Sequence, residues 1–245
     1  MANVIPIKQL PVLDNSTADY PEKDLFINGA VIPVDKPFGW TSFDVVKYIR
    51  NRIPVKKVGH AGTLDPLATG LLILCCGKAT KSISQFQDLS KTYIAEITFG
   101  ASTPSFDSAS EVSDRTEWSH IDQSTLLATI KKKFTGEFDQ TPPVYSALWK
   151  DGVRMYELAR KGIEVKPDPR KVIVHDIELL EFDLPRITLK IKCGKGFYVR
   201  SLANDLAIQL GSLGYLSALR RTGIGYFSDQ TAWQIENFNT WSTNG

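Results

Sequence analysis

Cysteine and histidine are scarce in this 245-residue chain, with three of each. Cys75, Cys76 and Cys193 offer no C-x-x-C spacing and no paired framework, so buried, reduced thiols are expected. His60, His120 and His175 include no H-x-x-x-H pair; a zinc or haem site has little to work with, and neither metal nor cofactor is expected. Long apolar runs are missing as well. The longest, Leu71 to Cys76, has six residues, where a bilayer span needs roughly 20, so no membrane role is expected. The opening MANVIPIKQLPVLDN has neither the basic start nor the apolar stretch of a secretory signal, and the chain reads as cytoplasmic. A phosphate-cradling loop is excluded too: the glycines at 70 and 77 are too far apart, and Ala79 stands where a hydroxyl would bind magnesium.

What is present is ordinary globular composition, 42% hydrophobic and 23% charged, at a length that suits one large domain. The formal net charge is only +2, but its distribution is uneven. Arg186 to Arg200 carries five basic residues and no acid, and so does Lys47 to Lys57. The first run also holds Phe197 and Tyr198, and basic residues interleaved with aromatics point to an anionic ligand such as RNA, with Tyr198 as a candidate contact. Residues 1–29 lack periodicity and read as an N-terminal extension. A catalytic domain is expected over 30–235, followed by a short tail at 236–245.

Within that domain VIPVDKP reads as a strand, and Thr41 or Ser42 caps a helix with a stripe of Val45/Val46, Ile49 and Ile53, stopped by Pro54. LLILCC is a buried strand, and a helix with Ala79, Ile83 and Phe86 on one face follows. KTYIAEITFG alternates with Tyr93, Ala95, Ile97 and Phe99 on one side. A helix over 122–134 uses Leu127, Ile130 and Phe134, and RMYELARKG is another. KVIVHDIELLEFD and RITLKIKC are strands, and a helix then carries Val199, Leu202/Ala203, Leu206 and Leu210 to a stop at Gly211. Strands and helices mix without regular βαβ alternation. The expected class is therefore α+β, with a mixed, mainly antiparallel central sheet flanked by helices.

The segment GHAGTLDPLATG, residues 59–70, concentrates the chemistry. Its glycines let backbone approach a ligand closely, and Pro66 forces Asp65 out of helical geometry. Asp65 is thus held at a rigid corner between Leu64 and Leu67, beside His60 and ahead of a buried strand. An Asp-Pro turn taken alone is more often structural than catalytic.

This segment resembles the catalytic loop of the TruB family of tRNA pseudouridine synthases. VDKPFGWTS resembles the family's opening strand and lysine-proline turn, KTYIAEITFG its tyrosine-bearing strand, and PPVYSALWKDGVRMYELAR its PP-x-YSA segment. KCGKGFYVRSLANDL is similar to the arginine-bearing strand-to-helix turn, and LRRTGIGYF to the closing motif. The likeness runs from about Val31 to Ala232. Where many members have T-D-T-x-D-x-x-G, this chain reads Thr103-Pro104-Ser105-Phe106-Asp107, which keeps Asp107 but changes the turn around it.

The resemblance implies the pseudouridine synthase fold and isomerisation of a uridine without cofactor or metal. Asp65 would be the nucleophile, adding to the base or to the sugar carbon. Tyr93 would stack on the flipped uracil, and Arg200 would pair with Asp65 and keep it ionised. His60 would lie against the RNA where the nucleotide leaves the stack, Asp107 would help position the site, and Lys36 would support the loop from beneath. The bacterial stand-alone type would act on uridine 55 in the T-arm stem-loop of tRNA, as a monomer with no obligate protein partner. With the closing motif so near Gly245, the small C-terminal RNA-binding (PUA) domain of many members is expected to be absent. Competing readings are a synthase for another RNA or directed by a guide RNA, an RNA-binding or folding protein without catalysis, and a glycosidase using Asp35 and Asp65.

Overall fold

The computed structural model describes residues 4–145, 149–150, 153–155 and 167–243. They fall into two compact units, residues 1–93 with 220–245, and residues 94–219.

In the first unit, β1 (Ala30–Lys36) lies antiparallel to β3 (Thr69–Cys76), in a register from Ala30 opposite Cys76 to Lys36 opposite Gly70. The short β2 (Val58–His60) also runs antiparallel to β3, with His60 opposite Leu74. The GHAGTLDPLATG loop is therefore a hairpin connection with both arms tied to one buried strand. β1 is buried along its whole length, so its first five residues form a continuous apolar run rather than an alternation, before the buried Asp35 and Lys36. Thr41 caps the helix Ser42–Arg50 through a reciprocal box with Asp44, and Val45, Val46 and Ile49 face inward. The thiols of Cys75 and Cys76 are buried, which pushes them up to about 12 and about 11.

β4 (Lys91–Phe99) and β12 (Gly214–Ile224) pass through the unit boundary. The first-unit end of β12 runs parallel to β3, with Arg220 opposite Thr69 and Arg221 opposite Gly70, and turns back as β13 (Phe227–Ser228). In β4, Ala95, Ile97 and Phe99 are buried, as the alternation predicts, while Tyr93 on the same side is half-buried.

The second unit carries the strand order β12, β4, β11 (Arg186–Cys193), β10 (Arg170–Asp183), β7 (Gly136–Gln140). β10 pairs antiparallel with β11 and with β7. Two small ribbons, β5 (Ala101–Ser102) with β6 (Asp114–Arg115) and β8 (Trp149–Lys150) with β9 (Val153–Arg154), are also antiparallel. With helices Gln123–Lys133 and Val199–Gln209, this is the α+β class with a mixed, mainly antiparallel sheet. The helix expected at RMYELARKG lies, beyond Met155, outside the described residues. The helix Gln123–Lys133 buries Leu126 and Ile130, whereas Leu127 is exposed. Asp122 caps this helix by accepting from the Thr125 amide, and that start turns Leu126, not its neighbour, toward the core.

The described residues at both ends carry core contacts. In the segment expected as an N-terminal extension, Val12 bridges Val31, the Leu13 amide donates to the Val31 carbonyl at 2.8 Å, and Phe26 is fully buried. In the segment expected as a tail, the helix Ile235–Thr243 buries Ile235, Phe238 and Trp241. Leu13, Phe26, Trp233, Phe238 and Trp241 share one cluster with Val45, Ile49 and Leu72. Phe238→Ala is expected to cost about 3–5 kcal/mol, as large-to-small changes of a buried ring do. Urea unfolding monitored by tryptophan fluorescence checks it.

Candidate active site

The loop that carries Asp65 is fixed by bonds from several elements of the first unit. The Ala61 amide donates to the Ile73 carbonyl at 2.9 Å. The Leu64 amide donates to Ser42 Oγ at 2.9 Å, and that hydroxyl contacts the Leu64 carbonyl at 3.1 Å. The Ala68 amide donates to the Asp65 carbonyl at 3.0 Å, closing a turn with Pro66 at its second position. The Pro66 carbonyl accepts from the Gly39 amide at 2.9 Å and from Lys36 Nζ at 3.2 Å. Asp65 itself is half-buried, and its backbone is clamped.

Lys36 has no exposed surface. Its ammonium donates to the carbonyls of Pro37 at 3.0 Å, Trp40 at 2.6 Å and Pro66 at 3.2 Å. Burial pulls its pKa down to about 8, and the charge of Asp65 opposes that pull. With three carbonyls on its ammonium, Lys36 ties the lysine-proline turn to the Asp65 loop.

Arg221, which sequence reasoning did not single out, is the second internal cation of this loop. It is 1% exposed. Its Nε donates to the Leu71 carbonyl at 2.7 Å and its Nη2 to the Gly62 carbonyl at 3.2 Å. Gly70 closes the loop at φ +99°, and a Cβ there would stand 2.3 Å from the Arg221 carbonyl oxygen, so no other residue fits. His60 sits at the end of β2 with Nδ1 buried. Burial, helped by Arg221, holds its pKa below the ordinary imidazole value, which keeps the ring neutral at pH 7. A paired arginine in LRRTGIGYF was the available signal: strand alternation turns one side chain of such a pair inward.

Arg220, its neighbour, forks onto Asp35 with contacts of 3.2 and 2.7 Å, and its Nε donates to Asp229 at 2.8 Å. Gln234 donates to the same Asp35 carboxylate at 2.9 Å. Asp35 is thereby committed to structure, which removes the second carboxylate that a glycosidase would require.

In the second unit Asp107 and Arg200 are brought together, with Arg200 Nε 3.6 Å from Asp107 Oδ2 and both side chains buried. Arg200 also donates to the carbonyls of Ser105 at 3.2 Å and Tyr145 at 3.0 Å. Asp107 Oδ1 accepts from Ser105 Oγ at 2.5 Å and from the Ala109 amide at 2.9 Å, and Thr103 Oγ1 donates to the Asp107 carbonyl at 2.7 Å. Phe106 takes φ +60° and offers its carbonyl to the Leu216 amide at 3.0 Å. The segment that departs from the family pattern thus builds its turn from hydroxyls.

Tyr198 precedes the helix Val199–Gln209 and is clamped by the amide of Gln140, which accepts from its N–H at 2.8 Å and donates to its carbonyl at 2.9 Å. Arg170, opposite Gln140 in the strand register, places its guanidinium 4.7 Å from the centre of the Tyr198 ring. That contact holds the ring from one side.

Residues 50–199 match the family described as "TruB family pseudouridylate synthase (N terminal domain)", more than half of the chain. The chain belongs to the TruB family. It is 48% identical over 206 residues to tRNA pseudouridine synthase B of Bacteroides fragilis, covering 82% of this chain and 88% of that protein. It is 43% identical over 220 residues to tRNA pseudouridine synthase B of Flavobacterium johnsoniae, covering 87% and 96%. Among solved structures, a Cbf5-Nop10-Gar1 complex aligns with a TM-score of 0.69 at 26% identity, over 100% of this chain and 63% of that one. An H/ACA RNP bound to a substrate RNA containing 2'-deoxyuridine aligns with a TM-score of 0.66 at 25% identity, over 92% and 58%. The chain spans about 60% of those solved chains, and they share with it the pseudouridine synthase fold.

Replacement of Lys36 by Met, which keeps the bulk and removes the donors, is expected to destabilise the protein by about 1–3 kcal/mol at pH 7, the cost of leaving buried acceptors unmet. The folded pKa of Lys36, about 8, lies below the ordinary lysine value of 10.5. Between these values the unfolded chain binds the proton more tightly, so stability from this group rises with pH. Urea unfolding should therefore find the gap between wild type and Lys36→Met widening from pH 8 to 10.5; a constant gap would rule out the titration.

Proposed function

We propose that this chain is the tRNA pseudouridine(55) synthase of its cell: it isomerises uridine 55 in the T-arm stem-loop of tRNA, acting in the cytoplasm as a monomer. The bond from C1′ to uracil N1 breaks, the base rotates, and C1′ rejoins the base at C5; C5 gives up its proton and N1 takes one up, so the product is an isomer of uridine. Asp65 is the nucleophile, adding to the base or to the sugar carbon. The observation that carries this reading is the clamped Asp65 loop, with a half-buried carboxylate on a backbone fixed by Lys36, Ser42, Gly39 and Arg221.

The remaining roles follow from family membership and fit the local chemistry. Tyr93, half-buried at the start of β4, is the platform for the extruded uracil, and stacking offsets part of the cost of unstacking it from the RNA. Arg200, held by Asp107 and two carbonyls, takes the arginine role that the family resemblance implies. His60 contacts the RNA at the position the nucleotide has left, and a neutral ring suits contact with bases. Tyr198, with its ring backed by Arg170, lies in the basic run from Arg186 to Arg200 and is assigned to RNA binding. Identity of 43–48% to proteins named tRNA pseudouridine synthase B, against 25–26% to chains of a Cbf5-Nop10-Gar1 complex and an H/ACA RNP, supports a tRNA substrate. Among the described residues no helix is long and apolar enough to cross a membrane.

Asp65→Asn is expected to abolish pseudouridine formation while RNA affinity stays within about tenfold, or about 1.4 kcal/mol, because binding rests on many other contacts. Chemical mapping of pseudouridine in an unmodified tRNA transcript reads the activity, filter binding reads the affinity, and turnover retained by the variant would remove Asp65 from the mechanism. Arg200→Lys keeps the charge and loses the planar fork. Its single-turnover rate at saturating enzyme should fall, whereas a normal rate with weaker binding would make Arg200 a phosphate contact.

A further inference from the structure

The most exposed large apolar side chains among the described residues are Phe38 at 67% and Phe43 at 61%. Scattered exposed apolar residues are ordinary, but these two stand five positions apart, Phe38 on the turn that is bonded to the Asp65 loop and Phe43 in the first turn of the helix that follows it. Gly39, between them, donates to the Pro66 carbonyl, and the carbonyls of Pro37 and Trp40 are held by Lys36. Trp40 turns inward to meet Tyr48 edge-on at 5.6 Å, while its phenylalanine neighbours stay in solvent.

Charge on the same face selects the partner. The helix Ser42–Arg50 buries Ser42, Val45, Val46 and Ile49, which leaves Phe43, Lys47 and Arg50 in a row on its other side. Exposed Lys56 and Lys57 continue the basic run, and no acid occurs from Lys47 to Lys57. The one acid of the helix, Asp44, has its carboxylate turned back to the Thr41 amide at 2.9 Å and the Thr41 hydroxyl at 2.6 Å. Aromatic faces without hydrogen-bonding groups, beside cations, are suited to unpaired bases and their phosphates, since every base has a π-face.

We propose that Phe38 and Phe43 form a stacking surface for unpaired nucleotides of the substrate RNA next to the target uridine, with Lys47 and Arg50 contacting their phosphates. This rests on the reading of the chain as an RNA-modifying enzyme and adds a binding surface to it.

The test measures affinity of the full chain for a T-arm stem-loop, using Phe38→Leu with Phe43→Leu, which keep apolar bulk and lose the π-face, and Phe38→Tyr with Phe43→Tyr, which keep it. The Leu pair should bind at least about tenfold more weakly and the Tyr pair within about threefold of wild type, as expected when base stacking carries the contact. Lys47→Gln should flatten the dependence of log affinity on log salt by roughly 0.7, the slope for one phosphate of a single strand. Equal affinities for the Leu and Tyr pairs overturn the proposal. So does a lowered thermal midpoint of the Leu pair that accounts for its loss, or a wild-type dimer in sedimentation that the Leu pair dissolves, which would mean that a second copy covers the face. Wild type that binds and converts the stem-loop while the Leu pair binds normally removes the stacking surface alone; wild type that does neither removes the functional reading as well.

Discussion

Lys36 keeps a positive charge wholly out of solvent, at the point where the first strand ends and two loops meet. A buried ammonium is unfavourable unless its protons are matched, and here three carbonyls match them. Two belong to the turn after β1 and the third to Pro66. The arrangement turns an electrostatic liability into a positional constraint. The carbonyls cannot separate without stranding the charge, so the residue before Pro66, the half-buried Asp65, is held wherever that turn is held. The sheet register enforces this from the other side, because Lys36 lies opposite Gly70, the loop's last glycine.

Much of this was legible in the sequence. The loop 59–70, the Thr41 cap, the alternation of β4 and the helix stopped at Gly211 follow from short-range chemistry: an Asp-Pro corner, a capping hydroxyl, a period of two and a glycine stop. What was not legible depends on distant partners. Nothing local marks Phe238 and Trp241 as core residues, since their burial comes from Leu13, Phe26 and Val45, which are remote in the chain. Leu126 and Leu127 are equally apolar, and only the Asp122 cap decides which faces inward. Arg221 reads as a surface charge until Gly62 and Leu71 supply their carbonyls.

The second unit solves a related problem by different means. Its buried pair, Asp107 and Arg200, sits 3.6 Å apart without a close fork, and each partner is oriented by other groups. Hydroxyls and an amide hold the carboxylate, and carbonyls hold the guanidinium. Substitution of the residues around Asp107 is tolerable on this scheme, because Ser105, Thr103 and the Ala109 amide supply the bonds a different turn would draw from other side chains.

The location of the C-terminal helix affects how the protein is made. Residues 94–219 form one compact unit that is a single stretch of chain, whereas the first unit is assembled from residues 1–93 and 220–245. Trp233, Phe238 and Trp241 belong to the same cluster as residues of the strand that ends in Lys36. During synthesis that cluster therefore stays incomplete until the helix Ile235–Thr243 has been made. A ribosome-bound chain stalled before residue 233 would have the Asp65 loop in place and an unfinished core beneath it.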